Sequence, residues 1–361
     1  MRINHTHGGN INEVARRYGL KPADIIDFSA SINPLGMSER ARKAVVEGLD
    51  SVLHYPEQFA ESLTTKAAGF YGVPNDSLIA GNGSTELIYL VPRAFKPKKA
   101  LIVNPTFSEY KNALKIAGCS IDYFLLLEED GFRLRVDPLI RVLKGGYDIL
   151  YICNPGNPTG TLIPKSDILE IVDKALNHDT LCRVDEAFMD FSEEESVKRE
   201  AVERPNLIVL RSMTKFFGIP GMRVGFAIGN KEKIGDMMVC KEPWSVNVLA
   251  SITAIESIGD TEYIKESRRY VAEERQHLFS ALKEIDWLKP FPSVANYILL
   301  KIKRDGVGAD GLAATLAKEG VLIRSCSSFD GLGNRFFRVA VRNREENERL
   351  VKLISSSINL C

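Results

Sequence analysis

The stretch richest in chemistry runs Arg211-Ser212-Met213-Thr214-Lys215 and continues Phe216-Phe217-Gly218-Ile219-Pro220-Gly221-Met222-Arg223-Val224-Gly225. Apolar residues flank it, Leu207-Ile208-Val209-Leu210 before and 224–228 after. Two buried strands therefore bracket one lysine, small and polar residues, and three glycines. A desolvated lysine amine is a nucleophile, and its characteristic partner is the aldehyde of pyridoxal phosphate, with which it forms a Schiff base. The hydroxyls of Ser212 and Thr214 and the charge of Arg223 suit that cofactor's phosphate. Read alone, the stretch is equally compatible with a surface lysine beside a Gly-rich turn. Motifs elsewhere in the chain decide between the two.

Gly83-Ser84-Thr85 follows an apolar run and opens a helix, so its N–H groups and hydroxyls are placed for a phosphate. Many such turns bind nothing. Asp185 ends an apolar strand and could keep a pyridine nitrogen protonated, which makes the ring an electron sink; a helix cap or a salt bridge is its ordinary use. Phe107 could lie flat on the ring or belong to the core. Asn154-Pro155-Gly156-Asn157-Pro158-Thr159-Gly160 is more specific, because its prolines and glycines fix a backbone that offers the Asn157 amide. His7-Gly8-Gly9-Asn10 precedes a helix, where backbone N–H groups can meet an anion; a flexible arm is the alternative.

The elements that must carry these residues alternate. Asn10 caps a helix to Tyr18 that Gly19 closes, 27–32 is extended, and helices cover 38–49 and 57–71. Strands at 78–80, 101–103, 121–127, 149–153, 181–184 and 206–210 are separated by helices at 87–95, up to 117, 138–143 and 166–176. Such βαβ alternation predicts a mainly parallel sheet with helices on both faces and ligands in the loops at one strand end, which is where each motif falls. Helices at 232–241, 247–258 and 262–284 lead to a smaller α+β unit. It has strands at 297–302, 321–325 and 336–341 and a final helix at 345–357. The expected partition is an arm at 1–37, a large domain at 38–260 and a small domain at 261–361.

A chain of 361 residues accommodates one large and one small domain. Its net charge of +0 gives no support for a nucleic-acid or membrane-surface partner. No apolar run approaches a membrane helix and no secretory pattern opens the chain, so a cytoplasmic location is expected. The six cysteines lack a C-x-x-C pair and read as reduced thiols. The five histidines are too dispersed for a metal site, so none is expected.

Together, in this order and at these separations, these motifs resemble the fold-type I pyridoxal-phosphate enzymes, and among them the histidinol-phosphate aminotransferase branch, from Asn33 to the last helix. The resemblance implies pyridoxal 5'-phosphate as cofactor and Lys215 as the catalytic Schiff-base lysine. It implies Asp185 at the pyridine nitrogen, Asn157 at the phenolic oxygen and Phe107 on the ring, with Ser84, Thr85, Ser212 and Arg223 at the phosphate. Tyr55, in a Tyr-Pro pair, would reach the cofactor phosphate of the neighbouring subunit in a homodimer, and Arg338 would take the substrate carboxylate. Aminotransferases of this branch carry tyrosine where this chain has Phe188.

A narrower resemblance rests on the His7–Asn10 motif, Asp27-Phe28-Ser29-Ala30, Ile32-Asn33-Pro34-Leu35-Gly36, Asp185-Glu186-Ala187-Phe188, Pro243-Trp244-Ser245-Val246-Asn247 and Ile323-Arg324-Ser325-Cys326. These look like the L-threonine-O-3-phosphate decarboxylases of cobalamin biosynthesis. That resemblance implies His7, Gly8, Asn157, Arg324 and Arg338 at a small phosphorylated amino-acid substrate. Ser31 stands where that family has a substrate-contacting asparagine. Decarboxylation of threonine phosphate or a close O-phosphoamino acid is the expected activity, and an aminotransferase such as histidinol-phosphate aminotransferase is the alternative. A cofactor-binding regulator of the same fold would need a DNA-binding region, which the neutral charge does not support.

Overall fold

The computed structural model describes residues 8–357. Its strands are β1 (Ile26–Asp27), β2 (Leu78–Asn82), β3 (Lys99–Asn104), β4 (Ser120–Leu125), β5 (Ile149–Cys153), β6 (Leu181–Asp185) and β7 (Leu207–Ser212). They continue with β8 (Val224–Gly229), β9 (Leu288–Pro290), β10 (Tyr297–Ile302), β11 (Val321–Leu322), β12 (Arg324–Ser325) and β13 (Phe336–Ala340).

Seven strands form one sheet in the order β2-β8-β7-β6-β5-β3-β4. The neighbours from β7 through β4 pair in parallel, and β8 runs antiparallel to both β7 and β2. The parallel strands need helical crossovers, whereas β7 and β8 are joined directly by the short Lys215 loop and so must run opposite ways. Both faces of the central strands are covered, which is why they read as continuous apolar runs, while the edge strand β4 is largely exposed. On β3, Ile102 faces the layer holding Leu87, Leu90 and Tyr151, while Leu101 and Val103 face the layer holding Leu139, Ile168 and Val172. The carboxyl ends of β3, β5, β6 and β7 lie along one edge, carrying the loops of Phe107, Asn157, Asp185 and Lys215.

The C-terminal region is α+β. Strands β12-β13-β10-β9 form an antiparallel sheet that packs on the long helix Thr261–Lys283 and the last helix Arg344–Ser356 through Leu278, Leu282, Ile298, Leu300, Leu350 and Ile354. The N-terminal segment ties the two regions together. Strand β1 pairs in parallel with β11, and Asn33 bonds both ways. Its backbone N–H donates to the Lys215 carbonyl at 3.0 Å, and its amide donates to the Phe216 carbonyl at 2.7 Å and to Ser267 Oγ at 2.8 Å. Gly218 closes this junction at φ 65°, and a Cβ there would lie 2.3 Å from the Gly36 carbonyl oxygen.

Four local expectations change. The helix expected from 57 begins at Glu61, because Ala60 is left-handed at φ 55°. The helix expected from 87 begins at Gly83, so the motif Gly83-Ser84-Thr85 is its first turn. Of the segment expected to be extended at 27–32, only Asp27 is strand, as the end of Ile26–Asp27; the rest turns on the Asp27 carboxylate, which accepts from Ser29 N–H at 2.7 Å. The single strand expected at 321–325 is two strands, breaking at Ile323 to pass from β1 to β13. Strand β9 gave no periodic signal, being three residues long. Among the described residues no helix is long and apolar enough to cross a membrane.

Candidate active site

A cavity of about 300 Å³ opens where the strand ends of the large sheet meet the N-terminal segment and strands β12 and β13. Lys215, Asp185, Asn157, Phe107, Ser84, Thr85 and Arg223 all line it, together with Gly8, Ser31, Arg324 and Arg338. Residues as far apart in sequence as Gly8 and Arg338 thus share one cavity. Three expected site residues are placed otherwise. His7 lies outside the described residues. Ser212 ends β7 as a buried residue, its hydroxyl 2.9 Å from that of Thr214, and it is Thr214 that lines the cavity. The chain enters a helical turn at Met213, which carries the second hydroxyl round to the open side. Tyr55 is 88% exposed and its ring lies 5.7 Å from that of Trp244, away from this chain's own cavity.

One corner is built for an anion. Gly83 has φ 74° and begins the helix Gly83–Phe95; a Cβ there would lie 2.5 Å from the Arg223 guanidinium. A Cβ on Gly225 would lie 2.4 Å from the Ser84 backbone nitrogen. A side chain at Gly225 would run into the backbone of the helix start and of β7, and at Gly83 the left-handed φ disfavours one. The result is an N-terminal helix turn, two hydroxyls and a guanidinium around one point, the arrangement that suits a phosphate.

Asp185 sits at the centre of a second cluster. Its Oδ2 accepts from Tyr110 Oη at 2.7 Å and from Arg183 Nη2 at 3.0 Å, and its Oδ1 accepts from the Ala187 N–H at 3.0 Å. Sequence reasoning passed over Tyr110 and Arg183. Tyr110 falls on a buried helix face where a core aromatic gives the same pattern. Arg183, by contrast, carried a readable signal: two residues before Asp185 on a strand, it must share a face with it. Phe107 packs edge-on to Tyr110 at 5.8 Å between centroids.

Lys215 is held below the usual lysine range, at about 8, by burial first and then by Arg223 and Arg338, with Asp185 opposing. A lower value means more neutral amine at a given pH. Apoenzyme should therefore take up an aldehyde covalently faster as pH rises, levelling off above about 8 rather than near 10.5. Stopped-flow absorbance against pH measures this. Arg338→Met removes one of the cations and should move the plateau to higher pH.

Two arginines form the far wall. Arg324 on β12 and Arg338 on β13 are directly opposed partners in an antiparallel pair, so their side chains leave the same face. Like charges so placed repel unless an anion lies between them. Arg338 donates to Asn157 Oδ1 and to the Ser29 carbonyl at 3.0 Å and stacks on Tyr297 at 4.9 Å. Arg324 donates to Ser328 Oγ at 2.9 Å and lies 5.2 Å from the Phe329 ring. Burial lowers the pKa of each, and Arg338 lowers that of Arg324 further. Arg338 Nε and Ser31 Oγ are buried with no hydrogen-bond partner among the described residues. Phe188 lines the cavity edge-on to Tyr297, whose hydroxyl is already spent on the Gly156 carbonyl at 2.6 Å.

A nucleophilic amine, a carboxylate, a flat aromatic face and a separate phosphate corner in one cavity fit pyridoxal phosphate part by part. The glycine cradle and the unpartnered Arg338 Nε leave room and donors for anionic groups.

Residues 23–354 match the family model for aminotransferase class I and II. The chain is 37% identical over 352 residues to threonine-phosphate decarboxylase of Salmonella typhimurium, covering 97% of this chain and 95% of that protein. It is 32% identical over 356 residues to histidinol-phosphate aminotransferase of Methanococcus aeolicus, covering 98% of this chain and 95% of that protein. The crystal structure of the histidinol-phosphate aminotransferase from Clostridium acetobutylicum superimposes with a TM-score of 0.85 at 29% identity, over 92% of this chain and 99% of that one. The fold, the cavity and these relatives agree, and the chain belongs to the class I and II aminotransferase family, as a pyridoxal-phosphate enzyme of fold type I in the branch shared by histidinol-phosphate aminotransferases and threonine-phosphate decarboxylases.

Proposed function

We propose that the chain decarboxylates an O-phosphorylated α-amino acid, L-threonine O-3-phosphate or a close relative. In this reading Lys215 anchors the cofactor, Asp185 faces its ring nitrogen, Phe107 covers the ring and Asn157 meets the phenolic oxygen. Ser84, Thr85, Thr214 and Arg223 hold the cofactor phosphate. Bound pyridoxal phosphate supplies an electron sink for the pair released when a bond at the substrate α-carbon breaks. The protein's own task is positioning. The observation that carries the reading is the opposed pair Arg324 and Arg338 in one cavity with Lys215. A substrate with a phosphate at one end and a carboxylate at the other satisfies both guanidiniums, and fixing both ends decides which α-carbon bond is broken. Lys215 Nζ would then donate a proton to the substrate α-carbon, in the place of the carboxylate that leaves as carbon dioxide.

At the level of family, amino-group transfer from a phosphorylated amine to a 2-oxo acid is the better supported reading, since the matched model is that of aminotransferases. What favours decarboxylation is local: Phe188 provides no hydroxyl at the cavity wall, and the nearby Tyr297 hydroxyl is engaged elsewhere. Product analysis with O-phosphothreonine and O-phosphoserine, with and without 2-oxoglutarate, separates the two. Carbon dioxide and an amino-alcohol phosphate formed without acceptor support decarboxylation. Faster conversion of histidinol phosphate, strictly dependent on the 2-oxo acid, supports transfer and overturns it.

Arg324→Ala should raise KM for the phosphorylated substrate by about ten- to a hundredfold, the worth of a charged hydrogen bond. Cofactor affinity should hold, since the phosphate corner lies on other elements. If cofactor is released and KM is unchanged, Arg324 does not hold the substrate.

A homodimer with shared sites completes the reading. Tyr55 stands among exposed Leu49, Val52, Leu53 and Trp244, an apolar face that a second copy would cover. Sedimentation should give twice the chain mass, and Tyr55→Ala should weaken cofactor binding. A fully active monomer contradicts this.

A further inference from the structure

Arg183 is, with Arg211, one of two fully buried arginines among the described residues that the reading above leaves without a task, and it is the one that reaches Asp185. It is 0% exposed, on the sheet face that carries Tyr151 and Ile208, its register partners on β5 and β7. Its guanidinium is flanked by the Tyr110 ring at 4.3 Å and the Tyr151 ring at 4.9 Å. Nε and Nη1 find no hydrogen-bond acceptor among the described residues, and Nη2 donates to Asp185 at 3.0 Å. A buried ion pair is seldom retained for stability, because well-packed apolar side chains do as well or better. This one spends a full charge in an apolar layer to reach a single cavity carboxylate.

We propose that Arg183 is a positioning residue for pyridoxal phosphate: it keeps the Asp185 carboxylate charged and turned toward the cavity, ready for a protonated ring nitrogen. The proposal rests on Asp185 being the ring-nitrogen partner. The geometry divides the work between the two oxygens. Oδ2 is held from behind by Arg183 and Tyr110, and Oδ1, which accepts one backbone N–H, retains a second acceptor position. A buried carboxylate that loses its counter-charge is pushed toward its protonated form. The other titratable groups around the Asp185–Arg183 pair and its side of the cavity are Tyr110, Tyr151, Cys153, Tyr297, Lys215 and Arg338. Burial raises four of them, Tyr110, Tyr151, Cys153 and Tyr297, keeping them neutral. Lys215 and Arg338 belong to the cavity and become engaged as it fills. Arg183 alone is a fixed cation on the core side of Asp185.

The test is cofactor affinity against pH, by fluorescence titration of apoenzyme with pyridoxal phosphate, for the wild type, Arg183→Met, Arg183→Lys and Asp185→Asn. The titration of the free cofactor is common to all four and cancels in the ratio of Kd to wild type. In Arg183→Met the neutral Asp185 must lose a proton to receive the charged ring. Its Kd ratio should therefore grow as pH falls from about 8 to about 5.5, approaching about tenfold per pH unit, the slope of one proton. Arg183→Lys keeps the cation, and its ratio should stay flat. A flat ratio for Arg183→Met, or one for Arg183→Lys that climbs alike, overturns the proposal and leaves Arg183 a packing residue. Should Arg183→Met not fold, Arg183→Gln is the neutral substitute with the same expected slope. Asp185→Asn separates the underlying reading: if its affinity equals the wild type's, Asp185 is not the ring partner and that assignment fails first.

Discussion

Lys215→Met should lower turnover by at least about a thousandfold, the scale of losing a proton-transferring and covalent group together. The methionine keeps most of the stem, so packing against the loop is retained and the loss reports the amine. The same substitution should stabilise the apoenzyme at neutral pH. Lys215 is a base whose folded value, about 8, lies below its unfolded value of 10.5. Below about 8 the unfolded chain keeps the charge comfortably while the folded site disfavours it, a cost on the order of 3 kcal/mol for that shift. As pH rises from about 8 to 10.5 the unfolded chain releases its proton and the cost fades. The melting temperature of Lys215→Met apoenzyme should therefore exceed the wild type's at pH 7 and converge with it toward pH 10.5. A variant that melts lower at every pH would show that the amine is not desolvated as described.

Arg338→Met should reduce kcat/KM by about a thousandfold. A charged hydrogen bond contributes roughly 1.5–3 kcal/mol, and a fork that grips a carboxylate makes two. Arg338 also joins three separate pieces of chain, donating to Asn157 on the β5 loop and to the Ser29 carbonyl on the N-terminal segment while packing on Tyr297 of β10. Losing it leaves those acceptors without their donor inside a buried wall. Arg338→Lys restores the charge but not the planar fork, so it should recover only a small part of the loss. Full recovery by lysine would mean that charge alone matters there. An effect on cofactor affinity equal to that on substrate would place Arg338 at the cofactor instead.

The cofactor side of the site was largely readable from residue types. A lysine between buried strands, an aspartate ending an apolar strand and a Gly-Ser-Thr turn each sit at a strand end, and parallel topology brings strand ends together. What the order of residues could not convey was side-chain direction over one residue. Ser212 and Thr214 are equally good hydroxyls in sequence, and only the helical turn beginning at Met213 turns the second toward the cavity. The break at Ile323 was hidden because both halves of 321–325 are extended and apolar enough for one strand. It is that break which transfers Arg324 from the edge of β1 to a position opposite Arg338. Arg183 was overlooked for a different reason. A charged residue in a buried strand conflicts with the apolar pattern, and such conflicts mark functional sites.

Reduction of the holoenzyme with borohydride, followed by peptide mapping, tests the central claim most directly. A cofactor joined to the amine in this cavity must be fixed to the peptide that contains Lys215, and to no other. Label on a different lysine, or none on a protein that has retained its cofactor, would contradict the site described here.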